Sequence, residues 1–203
     1  RNIILIKDNF LNKIIKYDIS GRYIEEIKNN HYLSDFCLIG DSKLACYNTR
    51  NPLLKKECFQ LFYTTIDGQI IKRLLSFDKS FLKDNYVLED YLSKSDTLNL
   101  LINNYSNTIY KIGNETIEGL YYFDFGKYNL PLGKHWKSPD IKGSEYARIN
   151  NFYETPSMIY LKYHFGVLKT IQMIINKSNG SLLKFSPNSS ITYSDEDILW
   201  GNI

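Results

Sequence analysis

The chain has 203 residues, of which 43% are hydrophobic and 15% aromatic, including 17 Tyr and 11 Phe. This aromatic content excludes a disordered chain and favours β-sheets, in which flat rings pack well on pleated surfaces. The net charge is only +3, from 25 basic and 22 acidic residues, and no run of five or six like charges occurs. The sequence therefore gives no electrostatic reason to expect DNA or RNA as a partner.

Hairpins with a glycine at the turn recur along the chain. Each is a short alternating or apolar run, then a turn, then a second run. The turn glycines Gly21, Gly68 and Gly113 are spaced by 47 and 45 residues, and Gly180 follows 67 residues later. Because glycine adopts the positive φ that a tight hairpin requires, we predict four turns. They are Ser20-Gly21, Asp67-Gly68, Gly113-Asn114 and Asn179-Gly180.

Further strand-like runs precede the hairpins. Phe36–Ile39 and Lys43–Tyr47 come before the Gly68 hairpin, and Thr97–Ile102 comes before the Gly113 hairpin. Four strands in a period of forty to fifty residues are typical of the blades of a β-propeller. We therefore predict an all-β fold of about three or four blades, each a four-stranded antiparallel sheet. Because propellers close with four to eight blades, this count fits either a closed four-bladed ring or part of a larger ring, and we favour the larger ring.

The longer third spacing indicates an inserted segment of about twenty residues. We place this insertion at residues 124–146, which contain Pro131 and Pro139 and show no strand alternation. The rest of residues 1–203 is predicted to be a single propeller domain. Because the chain opens at Arg1 inside an apolar run and ends abruptly at Ile203, we expect this domain to be incomplete.

Several motifs in consistent order resemble a family of six-bladed β-propellers with NHL-like repeats. That family occurs mainly as surface or periplasmic lipoproteins of Bacteroides-type bacteria. The matching segments are Tyr17–Ile24, Asn107–Ile112, Tyr122–Tyr128, Asn151–Thr155 and Ile174–Gly180. The resemblance implies export to the periplasm or outer-membrane surface, with a lipid anchor outside this sequence as the link to a membrane. It implies a binding or scaffolding role and transfers no catalytic residue.

Aromatic residues in and after the insertion are the candidate ligand-binding residues. Loops on a rigid scaffold are frequent binding sites, and aromatic faces recognise sugars and peptides. The alternative is that these rings pack the insertion onto its blade. The candidates are Tyr128, His135, Trp136, Tyr146 and Tyr153.

The sequence predicts no metal and no cofactor. The three histidines and three cysteines lack the spacings of zinc sites, and no phosphate-binding loop or nucleophile motif occurs. The acidic run 194–197 lacks the ligand spacing of a calcium loop and is interpreted as a solvated loop. Cys37 and Cys46 are expected to be buried thiols, although a disulfide between them is an open alternative.

We interpret the chain as a non-enzymatic binding or scaffolding module, with a protein, peptide or glycan as its ligand. The alternative is a hydrolase or lyase that acts on a saccharide at the mouth of the propeller channel. An enzyme of that kind would bring carboxylates or histidines from distant repeats together in one cleft, with opposed pKa shifts. A binding module would instead present an aromatic or polar surface.

Overall fold

A computed structural model of the chain describes residues 3–8, 11, 13–28, 33–48, 59–76, 91–95, 98–103, 106–131, 146–165, 169–185 and 199–202. Within these ranges the regular structure is almost entirely antiparallel strand. The strands are β1 (Ile3–Asp8), β2 (Lys13–Asp18), β3 (Tyr23–Lys28), β4 (Asp35–Ile39), β5 (Lys43–Tyr47), β6 (Phe59–Thr65), β7 (Ile70–Ser76), β8 (Tyr91–Ser95), β9 (Leu98–Asn103), β10 (Thr108–Ile112), β11 (Ile117–Asp124), β12 (Ala147–Glu154), β13 (Met158–Phe165), β14 (Lys169–Asn176), β15 (Leu182–Phe185) and β16 (Leu199–Asn202).

The strands form four sheets that follow one another along the chain. Their orders are β1-β2-β3, β4-β5-β6-β7, β16-β11-β10-β9-β8 and β12-β13-β14-β15. In three sheets every strand pairs with its sequence neighbours, so each sheet is a meander. The predicted unit of four strands therefore appears twice, whereas the first described sheet has three strands and the third gains β16 as a fifth. The described part of the chain forms two compact units.

The first compact unit contains residues 1–92 together with the hairpin tip 113–116. Its core lies between one face of β1–β3 and one face of β4–β7. Ile14 and Ile27 from the first sheet are 1% and 6% exposed, and they pack with Leu44, Cys46 and Phe62 of the second sheet. Because successive residues of a strand point to opposite faces, Ile4 and Ile6 of β1 lie on the opposite face and are exposed.

The second compact unit contains residues 93–112 and 117–203. Its core is aromatic where β11 meets β12: the ring centroid of Phe152 lies 5.6 Å from that of Tyr121 and 6.2 Å from that of Phe123. Phe123 and Phe152 are fully buried. Burial of one such side chain stabilises a fold by about 1.5–3 kcal/mol. Buried residues alternate along β13 and β14, so each strand turns one face to this core.

Three of the four predicted hairpin turns have the expected glycine geometry. Gly21, Gly68 and Gly180 have φ angles of +82°, +90° and +70°. In the fourth turn, a positive φ was predicted for Gly113. This prediction is wrong, because Glu115 takes the positive φ of +61° in that turn. The Gly113 N–H donates to the Thr116 carbonyl at 3.0 Å, so residues 114 and 115 form the centre of the turn.

The predicted inner strands are present, within one residue of their predicted bounds. β4 and β5 cover the first predicted pair, whereas β9 begins and ends one residue later than the predicted run before the Gly113 hairpin. Between the end of β11 at Asp124 and the start of β12 at Ala147, the described residues contain one 3-10 helix, Gly126–Tyr128, and no strand. No helix in the described ranges has the length and apolarity needed to cross a membrane.

Candidate functional site

One end of the second unit gathers the segment after β11, the β9–β10 turn and the adjoining ends of β12 and β13. We call this region the loop end. The chain leaves β11 at Asp124, whose Oδ1 accepts the Gly126 N–H at 2.8 Å. This bond starts the short 3-10 helix, and the Tyr128 N–H closes it by donating to the Phe125 carbonyl at 3.1 Å. The local sequence therefore places Tyr128 on a fixed turn instead of an open loop.

Side-chain amides fasten this turn to the β9–β10 turn. Asn107 Nδ2 donates to Asn129 Oδ1 at 3.1 Å, and the same oxygen accepts the Phe125 N–H at 3.1 Å. Asn129 Nδ2 in turn donates to Asp124 Oδ1 at 2.5 Å. Asn107 is 2% exposed and has a φ of +50°, a left-handed conformation that asparagine tolerates better than most residues. The network therefore holds the Tyr128 turn against buried structure.

Aromatic contacts complete the loop end. Phe125 is buried against Tyr163, with ring centroids 4.9 Å apart. The Tyr128 ring packs edge-on against Phe165, with the ring centroids 4.4 Å apart, and it is half-buried. Lys127 is exposed, and its Nζ lies 5.1 Å from the centroid of the Tyr128 ring, within range of a cation–π interaction. The loop end therefore presents a fixed phenol ring beside a cation.

The structure brings two of the predicted site residues to this end and separates a third. Tyr146 directly precedes Ala147, which pairs with Phe165, the partner of the Tyr128 ring. Tyr153 lies seven residues further along β12, roughly 20 Å away at ~3.3 Å per residue, at the opposite end of the strand. His135 and Trp136 lie outside the described residues.

Tyr153 belongs to a different surface, the face of β12–β15 that points away from the core. Tyr153 is 53% exposed, and its ring lies 5.9 Å from that of Tyr160, its cross-strand partner. The Tyr160 hydroxyl donates to Gln172 Oε1 at 2.9 Å. Partial burial raises the pKa of Tyr160, so its hydroxyl remains a proton donor at neutral pH.

A polar cluster between β11, β12 and the β14–β15 turn was not predicted from the sequence. Glu154 Oε1 accepts the Tyr121 hydroxyl at 2.5 Å and Lys177 Nζ at 2.6 Å. The Glu154 side chain is only 8% exposed. Burial, together with the bond to Glu154, raises the pKa of Tyr121, so that the phenol stays neutral and donates. No local sequence pattern predicts this cluster, because its members come from three separate hairpins.

Of the two cysteines in the described part of the chain, Cys46 is buried, as expected, whereas Cys37 is only half-buried. No group of three or more His, Cys, Asp or Glu side chains there has the arrangement of a metal site. Cys37 and Cys46 are thiols; Cys37 pairs with Ala45 and Cys46 with Phe36, so the two cysteines point to opposite faces of the sheet. Burial raises the pKa of Cys46 to about 12, which removes its nucleophilic form at neutral pH. Residues 194–197 lie outside the described ranges.

Comparison with known proteins gives a family and a fold. The family model described as "Domain of unknown function (DUF4934)" matches residues 1–198. The crystal structure of a Bacteroides fragilis protein named "Putative exported protein" superposes with a TM-score of 0.73 at 16% sequence identity. The superposition covers 91% of this chain and 55% of that one, so the chain spans about half the length of its structural relative. No curated protein matches the chain.

Proposed function

Because the chain belongs to the DUF4934 family, a family without an assigned activity, we propose its role from architecture and surface chemistry. The chain is a binding or scaffolding module of an exported β-propeller lipoprotein, and the loop end binds its ligand. The ligand is a protein, a peptide or a glycan. The observation that carries this proposal is the half-buried Tyr128 ring, fixed beside an exposed Lys127 on the turn that Asp124 and Asn129 hold in place.

The propeller part of the proposal is supported by the sheets themselves. Antiparallel sheets, two in each compact unit, share cores through their faces, as the blades of a propeller do. The similarity to the Bacteroides fragilis structure covers nearly all of this chain but 55% of that protein. A propeller of six blades with NHL-like repeats would hold more sheets than the four that the described residues form. The name of that relative supports export for this chain as well.

The binding part of the proposal is supported by the chemistry of the loop end. A rigid aromatic ring loses little conformational entropy when it meets a ligand, and its face packs against sugar rings and apolar side chains. Lys127 adds a cation at the same place. Loops on a rigid sheet are the usual location of such sites.

A binding screen with single-residue variants tests this function. The purified chain is titrated against soluble bacterial and plant polysaccharides and against a peptide library. Tyr128→Ala should weaken the affinity for the selected ligand by about tenfold or more, as expected for an aromatic anchor. Tyr122→Ala is the matched control, because Tyr122 is 40% exposed on the β11 strand, outside the Tyr128 turn. Equal loss in both variants would contradict the site, and absence of any ligand would contradict the function.

The same polysaccharide incubations test the enzymatic alternative of a saccharide hydrolase or lyase. New reducing ends or unsaturated products would identify catalysis and replace the binding proposal. Unchanged polymers that are nevertheless retained by the protein would support a binding module.

A further inference from the structure

In the part of the chain that the structure describes, two buried oxygen atoms of the β9–β10 turn have no hydrogen-bond partner. They are Ser106 Oγ and Asn107 Oδ1, which belong to adjacent residues. Leaving such an atom unpaired destabilises a folded protein, because the atom loses its hydrogen bonds to water without gaining others. Buried polar atoms are almost always bonded to the protein or to an ordered water molecule. Two such unpaired atoms on adjacent residues therefore indicate that a small molecule or ion is bound at this turn.

The orientation of the Asn107 amide is fixed by its neighbours and cannot be reversed to pair the oxygen. The Asp124 carboxylate only accepts hydrogen bonds, so the donor that faces it must be Asn129 Nδ2. Asn129 Oδ1 then faces the Phe125 N–H and Asn107 Nδ2. This leaves Asn107 Oδ1 directed to the other side, away from the amide network.

Other polar groups of the turn form hydrogen bonds within the chain. The Ser106 N–H donates to Asn103 Oδ1 at 3.1 Å, and the Ser106 carbonyl accepts the Thr108 hydroxyl at 3.0 Å. The Asn107 carbonyl accepts the Phe123 N–H at 3.0 Å. The bound species therefore has to form hydrogen bonds with one amide oxygen, which only accepts, and with one hydroxyl, which can accept or donate.

We propose that the β9–β10 turn binds one internal water molecule, which donates to Asn107 Oδ1 and bonds to Ser106 Oγ. Water supplies two donor hydrogens and needs two to four polar partners, which matches this pair. A divalent cation such as Ca²⁺ needs six to eight oxygens, including carboxylates. No group of three or more His, Cys, Asp or Glu side chains in the described part of the chain could hold such an ion.

This water is a positioning element of the loop end. It bonds to the amide oxygen of Asn107, whose Nδ2 donates to Asn129 Oδ1, the atom that also accepts the Phe125 N–H at the start of the Tyr128 turn. The water stabilises the Tyr128 turn whether or not the loop end binds a ligand.

A crystal structure at about 1.8 Å resolution or better tests the inference directly. We expect ordered solvent density within about 3.2 Å of both Ser106 Oγ and Asn107 Oδ1. Density at 2.3–2.6 Å with several oxygen ligands would identify a cation and overturn the proposal. So would a structure in which both atoms bond to other side chains and the site is dry.

Thermal unfolding of Ser106→Ala provides an independent test in solution. If Ser106 Oγ bonds to the internal water, its removal lowers the melting temperature. If the atom were unpaired, its removal would relieve a penalty and raise the melting temperature, which would contradict the proposal. Thr108→Val is the matched control, because it removes the hydrogen bond from the Thr108 hydroxyl to the Ser106 carbonyl in the same turn. The melting temperature should be the same in EDTA and in CaCl2, and a rise in CaCl2 would favour a cation.

Discussion

Glycine acts in two different ways in these hairpins. At Gly21, Gly68 and Gly180 the backbone has a positive φ, which other residues adopt only with strain. At Gly113 the φ angle is ordinary, but a Cβ atom would collide with Thr116 Oγ1. The sequence signal, a glycine near the turn, is the same in both cases. The physical requirement is backbone conformation in three turns and close approach of a neighbouring side chain in the fourth.

The first prediction, at the residue scale, concerns Gly68. Gly68→Val should lower the free energy of unfolding by about 1 kcal/mol or more, because valine is strained at a φ of +90°. A Cβ there would also lie 3.3 Å from the Lys28 carbonyl oxygen. Chemical denaturation measures the loss.

Gly21→Val is the matched control for this experiment. Gly21 has a similar φ of +82°, but open space surrounds the position of its Cβ. The control should therefore show the cost of strain alone, and Gly68→Val should be the more destabilised of the two. Wild-type stability in Gly68→Val would contradict the turn geometry.

At the element scale, the tip of the β10–β11 hairpin is held in place by several side-chain contacts. Tyr63 is fully buried, and its hydroxyl lies 3.0 Å from the Gly113 carbonyl and 2.8 Å from the Thr116 carbonyl. Lys43 Nζ contacts the Glu115 carboxylate, and Lys72 Nζ donates to the Glu115 carbonyl at 2.9 Å. These contacts come from three successive strands of one sheet. They explain why Glu115 keeps a left-handed backbone conformation.

The second prediction is a pH dependence of this tip. The hydrogen bond from Lys43, together with the charges of Lys43 and Lys72, holds the pKa of Glu115 below its ordinary value of 4.5. A carboxyl whose pKa is lowered by folding stabilises the fold above its unfolded pKa, and this contribution disappears as the pH falls through the folded pKa. Glu115→Gln should therefore be less stable than the wild type near neutral pH.

Unfolding of the two proteins at several pH values measures this effect. The difference in melting temperature between wild type and Glu115→Gln should shrink as the pH falls below 4.5. Both proteins carry the same strained φ at position 115, so the comparison isolates the carboxylate. A difference that stays constant down to about pH 2 would contradict the ion pair.

At the scale of the whole molecule, the first sheet leaves an apolar face open. Ile4, Ile6 and Tyr23 are 42%, 49% and 56% exposed, and they lie on the face opposite Ile14 and Ile27. Sheet faces of this kind are normally covered by another sheet or by a partner. In the proposed propeller, the neighbouring blade would cover this face.

The third prediction is that the isolated 203-residue chain self-associates. Light scattering should show dimers or larger species, because association removes the open face of β1–β3 from water. The double variant Ile4→Lys, Ile6→Lys should shift the population towards monomer. Ile19→Lys is the control, since Ile19 is 65% exposed in the turn after β2 and lies outside the strands of this face. A stable wild-type monomer would contradict the prediction and favour a closed arrangement of the four sheets.

The sequence by itself determined the local architecture. Alternation in the run before Gly68 and the glycine at its turn predicted β6, β7 and their connection, because both signals act over a few residues. The repeated spacing predicted several similar sheets. Prolines and glycines, which strands do not tolerate, led to the predicted insertion at residues 124–146, most of which lies outside the described residues.

Only the tertiary structure decided which side chains meet. The Asp124–Asn129–Asn107 network joins segments from two separate turns, and Glu154 collects Tyr121 and Lys177 from two other hairpins. Alternation shows which residues of a strand share a face, but it does not identify the neighbour that covers the face. The same reason explains the position of Tyr153, which is close to Tyr146 in sequence and lies at the opposite end of β12. It also explains the pairing of β16 with β11, since pairing between distant strands is fixed by packing and leaves no local pattern.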